Sequence, residues 1–221
     1  MLTRLLTAAA FAAILAAPLS AQQPVPPAPI PPTSAIPEKP VFKTVPVMLT
    51  TSAGKITIAL EVERAPVTAA NFLRYIDQKR LDGTDFYRAF TYPSSPNDGL
   101  IQGGTRNDPK RILKPIAHEP TSKTGLIHDD GAISMARAAP GSADGDFFII
   151  LGSMSGLDAN PTAPGDNQGY AVFGHVTEGM DVVRAIAAMA KDPNKGAGIM
   201  RGQMLAAPVK IISARRIAPA K

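Results

Sequence analysis

The sequence predicts a mainly β domain, an antiparallel barrel or sandwich plugged by helices, and three observations lead to that class. First, KITIALEV at residues 55–62 places Ile, Ile, Leu and Val at every second position, the pattern of a strand with one buried face. Second, many short apolar runs are separated by Gly, Pro, Asn and Asp, which favour turns. Third, only two segments have helical periodicity, and they lie far apart. That arrangement does not fit an alternating βαβ sheet.

The elements follow in order from near Val45. VMLTT and KITI are joined through Ser52-Ala53-Gly54 and predict a hairpin. A helix is predicted after Ala65, because Pro66 suits a first helical turn and the apolar residues over 69–76 recur at helical spacing. A second helix is predicted over 179–191. The other strand candidates are DFYRAF, LIQGG, AISMAR, FFIIL, GYAVFGHV and PVKIISARRI.

The chain of 221 residues divides into three predicted parts. Residues 1–21 combine one Arg, an apolar run and small residues before Ala21, as a secretory signal peptide does. Residues 22–44 are rich in proline, which predicts an extended linker. Residues 45–218 form the folded domain. After signal cleavage we expect no stable membrane insertion, and we expect an exported protein, in a bacterial periplasm or secreted.

Charge and composition exclude several classes of function. The formal charge of +5 is modest, and Lys and Arg are interleaved with Asp and Glu, so nucleic-acid binding is not predicted. There is no cysteine, which rules out disulfides and thiol catalysis. His118, His128 and His175 have no partner at metal-ligand spacing, and GSMSG lacks the central serine of a nucleophile elbow. Any catalysis must therefore depend on positioning and electrostatics, such as a fixed cation over an apolar pocket.

Seven separated motifs resemble those of the cyclophilin-type peptidyl-prolyl cis-trans isomerases, in order and in spacing. They are TTSAGKITIAL, APVTAANFLRYI, LDGTDFYRAF, LIQGGT, GAISMARA, SADGDFFIIL and GYAVFGHVTEGMDVV. The resemblance covers Val45 to about Ile217 and is strongest to the bacterial periplasmic branch. It implies a closed eight-stranded antiparallel β-barrel capped by two α-helices, with a substrate groove on the outer surface. It implies no cofactor and no metal.

The same resemblance implies the site residues. Arg88 in FYRAF matches the catalytic arginine, Gln102 in IQGG matches the groove glutamine, and Phe148 matches the floor of the proline pocket. The remaining matches line the pocket wall or the edge that carries the substrate backbone: Leu100, Leu157, Tyr170, Ala136, Arg137 and Ala138. The expected partners are proline-containing segments of unfolded or exported proteins.

Two positions beside the groove depart from the family pattern. Gly99 stands where an aromatic pocket residue is common, and Tyr87, Phe90 or Tyr92 are candidates to refill the wall. Asp146 replaces the usual glutamine beside the groove. It is expected to contact substrate, and it could pair with Arg88 or Arg137 or select basic peptides.

Two insertions relative to the family are also evident. The connection from Arg88 to Gln102 is longer than usual, and residues 159–169 form a longer loop with no assigned conformation. Two functions are compatible with this sequence. One is an isomerase that accelerates X-Pro isomerisation during folding of exported proteins. The other is a noncatalytic module that binds proline-containing segments as a chaperone or scaffold.

Overall fold

A computed structural model describes residues 40–218. The predicted signal peptide and residues 22–39 of the predicted linker lie outside the described residues. Residues 40–44 precede the first strand without regular structure. Within the described range no helix is long and apolar enough to cross a membrane.

Nine strands and three helices make up the described chain. The strands are β1 Val45–Thr51, β2 Gly54–Leu60, β3 Asp85–Tyr92, β4 Ser95–Gly104, β5 Ala132–Met135, β6 Asp146–Leu151, β7 Ala171–Glu178, β8 Lys191–Asp192 and β9 Met204–Arg216. The helices are α1 Pro66–Asp77, α2 Thr121–Thr124 and α3 Met180–Ala188.

Eight strands close into an antiparallel barrel, as the resemblance implied. Their order is β1-β2-β7-β5-β6-β4-β3-β9, and β9 pairs back with β1 to complete the ring. The two-residue β8 adds only to the outer part of β9. Closure leaves the barrel without an open edge that could pair with another chain.

Several predicted strands are longer than their sequence patterns suggested. β4 begins at Ser95, before LIQGG, and β9 begins at Met204, before PVKIISARRI. In β4 the extension runs through Pro96 and Asn97, residues that favour turns. Thr91 lies opposite Gly99 and Tyr92 opposite Ser95, so the register shifts between these two pairs and residues 96–98 form a bulge with no partner on β3.

The two long helices bury apolar faces against the barrel. Phe72 of α1 packs its ring 5.2 Å from Phe147 and 5.1 Å from Phe173, both inside the barrel. The N-terminus of α1 has no capping side chain of its own. Instead the buried Glu119 accepts hydrogen bonds from the backbone N–H groups of Val67 and Thr68, where a carboxylate also interacts favourably with the helix dipole.

Adjacent phenylalanines in β6 face opposite sides of the barrel wall. Successive side chains of a strand alternate between its faces, so Phe147 lies in the interior core and Phe148 on the outer surface. Phe148 is nevertheless only 4% exposed, because other side chains cover it from outside. This outer aromatic ring marks the base of a surface groove.

Candidate active site

A cavity of about 400 Å³ lies over Phe148 on the outside of the barrel. β3, β4 and β6 bring the predicted residues into one row, because Arg88 pairs with Gln102 and Gln102 pairs with Phe148 across the sheet. Residues far apart in the chain therefore become neighbours through strand register alone.

Two glutamine side chains hold the guanidinium group of Arg88. Its Nη1 donates to Oε1 of Gln102 at 2.7 Å, and its Nε and Nη2 both donate to Oε1 of Gln203, at 2.8 and 2.6 Å. Burial lowers the pKa of Arg88 from its usual value. A guanidinium remains protonated in proteins even so, and the two amide partners carry no charge that would neutralise it.

The amide of Gln102 is oriented by a chain of hydrogen bonds. Its Nε2 donates to the Tyr87 hydroxyl at 2.9 Å, and that hydroxyl donates to Oδ2 of Asp146 at 2.9 Å. An ionised carboxylate can only accept, so the Tyr87 hydroxyl is free to accept from Gln102. This polarity places Oε1 of Gln102 toward Arg88.

The floor of the cavity is aromatic and supported on both sides. Tyr170 meets Phe148 edge to face, with centroids 5.5 Å apart, and the His128 ring stacks parallel to Phe148 at 6.0 Å. Leu100, Met154 and Leu157 complete the apolar wall. The result is a pocket that suits a small apolar ring, with a cation at its edge.

One side of the rim is the extended β3–β4 hairpin. Phe90 and Tyr92 both line the cavity, and their rings pack edge to face with centroids 4.8 Å apart. A Cβ atom at Gly99 would lie 2.0 Å from the Phe90 carbonyl oxygen, so no aromatic side chain fits there. The longer hairpin supplies the wall from Phe90 and Tyr92, while Tyr87 lies in the adjacent cavity described below.

Another side of the rim depends on Arg137. Its guanidinium donates to both carboxylate oxygens of Asp166, at 2.8 and 2.9 Å, and to the carbonyl of Gly169, and it lies 5.0 Å from the Tyr170 ring centroid. These bonds lower the pKa of Asp166 to about 2. Arg137 therefore attaches the inserted loop 159–169 to the groove.

Comparison with known proteins identifies the family. The model described as "Cyclophilin type peptidyl-prolyl cis-trans isomerase/CLD" matches residues 46–215. The chain belongs to this family. It is a peptidyl-prolyl cis-trans isomerase.

Bacterial peptidyl-prolyl cis-trans isomerases are among its similar relatives. The isomerase cyp18 of Streptomyces antibioticus is 39% identical over 154 residues, which cover 68% of this chain and 87% of the relative. An isomerase of Acinetobacter baylyi is 38% identical over 171 residues, which cover 76% of this chain and 82% of the relative.

Solved structures share the fold. A cyclophilin-type isomerase of Cryptosporidium parvum aligns with a TM-score of 0.64 at 18% identity, over 80% of this chain and all of that protein. A second crystal structure of that isomerase, in the presence of the dipeptide Ala-Pro, aligns with a TM-score of 0.62 at 19% identity, over 78% of this chain and 99% of that one.

Most of the sequence-predicted site residues of this cyclophilin surround the main cavity. Those lining it are Arg88, Leu100, Gln102, Ala136, Arg137, Phe148, Leu157 and Tyr170. Ala138 and Asp146 line an adjacent cavity of about 410 Å³ instead, together with Tyr87 and Arg106. The rim residues Ile199, Met200 and Gln203 were not predicted, since nothing in GIMRGQ indicates a groove.

Pairing of Asp146 with Arg88 or Arg137, one of the alternatives that the sequence left open, is not formed. Within residues 40–218, Asp146 instead accepts from the Tyr87 hydroxyl, the Arg106 backbone N–H at 2.7 Å and the Thr105 hydroxyl at 3.4 Å. The carboxyl group is buried beneath the groove surface, and this burial raises its pKa. Asp146 thus leaves the Arg88 guanidinium free of a direct counter-charge.

His128 forms a buried array that resembles a hydrolase triad. Its Nδ1 lies 2.7 Å from Asp158, and its Nε2 lies 3.0 Å from the Ser134 hydroxyl. Ser134 is fully buried in the barrel wall, so a substrate cannot reach it. Burial lowers the pKa of His128, which favours a neutral ring supporting Phe148 from behind. Within the described residues no group of three His, Asp or Glu side chains is arranged to hold a metal ion.

Proposed function

We propose that this isomerase acts on X-Pro bonds of exported polypeptides, with Arg88 as its catalytic cation. The observation that supports this role is the Arg88 guanidinium at the edge of the Phe148 pocket, held within residues 40–218 by neutral amides only. A peptide C–N bond rotates slowly because resonance must be broken, with a barrier of about 18 to 20 kcal/mol. A group that stabilises only the twisted state lowers that barrier.

The chemistry follows from what the proline nitrogen gains on twisting. Loss of amide resonance returns a lone pair to that nitrogen, and a guanidinium N–H can donate to it. Arg88 has five N–H groups, and the described residues engage three of them, which leaves donors for a substrate. No redox change or covalent intermediate is involved.

The pocket supplies the complementary constraint. We place the proline ring on Phe148 between Leu100 and Leu157, and the substrate backbone along residues 136–138. A ring held in an apolar pocket allows the preceding residue to turn about the bond. The crystal structure of the related isomerase with the dipeptide Ala-Pro supports a ligand of this class.

The export assignment rests on the N-terminal sequence. Residues 1–21 have the pattern of a signal peptide, and an exported chain without cysteine is independent of disulfide formation. We propose the periplasm as the location, with secretion as the alternative. Cell fractionation, with N-terminal sequencing of the isolated protein, tests this. A start at Gln22 in the periplasmic fraction supports it, and an intact Met1 in the cytoplasm contradicts it.

The noncatalytic alternative depended on two departures from the family pattern. It would be favoured if Asp146 paired with Arg88 and if the wall at Gly99 were left without an aromatic side chain. Neither effect is present, because Asp146 bonds to Tyr87 and the hairpin aromatics line the wall. No observation favours a binding-only function.

The decisive experiment measures cis-to-trans exchange of an Ala-Pro test peptide with wild type and Arg88→Ala. We expect the variant to lose about 100-fold or more in kcat/KM, the size of effect seen when a charge-stabilising donor is removed. Arg184→Ala is the matched control, because Arg184 lies on α3 and pairs with Asp130. An Arg88→Ala variant that is folded and retains the wild-type rate would disprove the assignment.

A further inference from the structure

The segment that enters β9 carries a second amide to Arg88. Gln203 follows the short 3₁₀ turn Gly198–Met200 and directly precedes Met204, the first residue of β9. Its backbone carbonyl accepts from the Ala89 N–H at 3.0 Å, next to Arg88 on β3. The backbone of Gln203 is thus attached to the strand that carries the proposed catalytic cation.

The Gln203 side chain is held at both ends of its amide. Nε2 donates to the Ile199 carbonyl at 2.8 Å, which directs Oε1 to the Nε and Nη2 of Arg88. Because an amide nitrogen only donates and its oxygen only accepts, the bond to Ile199 determines which atom meets Arg88. Gln102 takes the remaining contact at Nη1, so Arg88 lies between two oriented amides.

We propose that Gln203 is a positioning residue that holds the Arg88 guanidinium in its working orientation without neutralising its charge. This inference rests on the catalytic role proposed for Arg88. A long arginine side chain loses much conformational freedom when its head is fixed, and paired N–H donors to one oxygen define its plane. A reactive group that is already oriented does not have to be ordered in the transition state.

The neutrality of the partner is the central feature. A carboxylate at the same place would hold Arg88 at least as firmly, but it would form an ion pair and compete with the lone pair of the twisted amide for the guanidinium charge. Among the described residues Arg88 forms no ion pair, and both of its side-chain acceptors are glutamines. The site therefore combines a fixed orientation with an available charge.

Variants of Gln203, with a glutamine control elsewhere on the chain, test this proposal separately from the proposed function. We expect Gln203→Ala to lower kcat/KM for the Ala-Pro peptide about tenfold or more, because Arg88 loses two of its three side-chain hydrogen bonds. Peptide affinity measured by titration should change less than about twofold, because the effect falls on the twisted state. Gln78→Ala, at the exposed end of α1, is the matched control and should retain the wild-type rate.

Gln203→Glu separates orientation from charge. It retains an oxygen acceptor for Arg88 but adds a negative charge, so we expect a loss at pH 7 at least as large as that of Gln203→Ala. The ratio of its rate to that of wild type should recover as the pH falls and the introduced carboxylate becomes protonated. If Gln203 served only as a structural tether, Gln203→Glu would retain activity and the ratio would not depend on pH.

The Arg88 Nε–H resonance in a ¹H–¹⁵N spectrum reports directly on the hydrogen bonds between Arg88 and Gln203. We expect it to shift and to exchange faster with solvent in Gln203→Ala, while the backbone spectrum away from the groove stays unchanged. If Arg88→Ala is inactive and Gln203→Ala is fully active, the positioning role of Gln203 is overturned and the proposed function remains intact. An active Arg88→Ala overturns the proposed function itself.

Discussion

The floor and the rim of the groove are built in different ways. The floor, here Leu100, Gln102 and Phe148, lies on paired barrel strands. The rim consists of the outer part of the β3–β4 hairpin, residues 90–99, and two connections, residues 155–170 and 193–203. Floor side chains are buried, whereas Tyr92 is 42% and Ile199 is 87% exposed. Backbone pairing positions the floor, and individual side-chain contacts such as Arg137 with Asp166 hold the rim.

This difference explains how the site can depart from the family pattern and remain complete. Gly99 cannot carry an aromatic side chain, yet the longer hairpin provides Phe90 and Tyr92 at the same pocket. Connections tolerate insertion better than paired strands do. We therefore expect floor substitutions to affect stability and turnover together, and rim substitutions to affect mainly peptide recognition.

The largest expected effect is that of Phe148→Ala. Removing this buried ring leaves a cavity between Tyr170 and His128, and we expect the free energy of unfolding to fall by about 3 to 5 kcal/mol. Acceleration of Ala-Pro exchange should fall with it. Denaturant unfolding and the exchange assay measure the two effects.

Tyr92→Ala is the rim counterpart of that variant. Its loss of unfolding free energy should be about 1 kcal/mol or less, because the ring is partly exposed and packs mainly on Phe90. Peptide affinity should weaken instead. A stability loss as large as that of Phe148→Ala would show that the rim belongs to the folding core.

An intermediate effect is expected from Tyr87→Phe, which tests the link between floor and buried carboxylate. The variant retains the ring but removes the Tyr87 hydroxyl, which donates to Asp146 and accepts from Gln102. We expect a loss of about 1 to 3 kcal/mol in unfolding free energy. The exchange rate should also fall, because the Gln102 amide is no longer oriented. A wild-type rate in a folded Tyr87→Phe protein would exclude this orienting role.

The smallest expected effect concerns acid and the rim pair Arg137–Asp166. The pKa of Asp166 is lowered from 3.8 to about 2 in the folded protein, mainly by its hydrogen bonds to Arg137. The stabilisation is therefore complete above about pH 4 and is lost as the pH falls toward about 2. Thermal unfolding of wild type and Asp166→Asn should differ slightly at pH 6 and converge near pH 2. A constant difference across this range would contradict the assignment.

Local patterns were sufficient to predict the barrel strands, whereas the row of Arg88, Gln102 and Phe148 was implied by the resemblance to the family. The period-two pattern over 55–62 and the FFIIL run reflect the pleat of the backbone itself, so they can be read from neighbouring residues. The extended β4 escaped prediction because Pro96 and Asn97 favour turns. The hairpin accommodates these residues in a bulge, because Ser95 and Gly99 on either side pair with Tyr92 and Thr91 of β3.

The sequence by itself determined the fold class, the two main helices and the side chains that reach the groove floor. Only the tertiary structure decided that Gln203 meets Arg88, that Asp166 meets Arg137 and that Asp146 bonds to Tyr87. Arg88 and Gln203 are 115 residues apart, and no local pattern relates them. Periodicity is a property of neighbouring residues, whereas the partner of a loop side chain depends on how the closed barrel brings distant connections together.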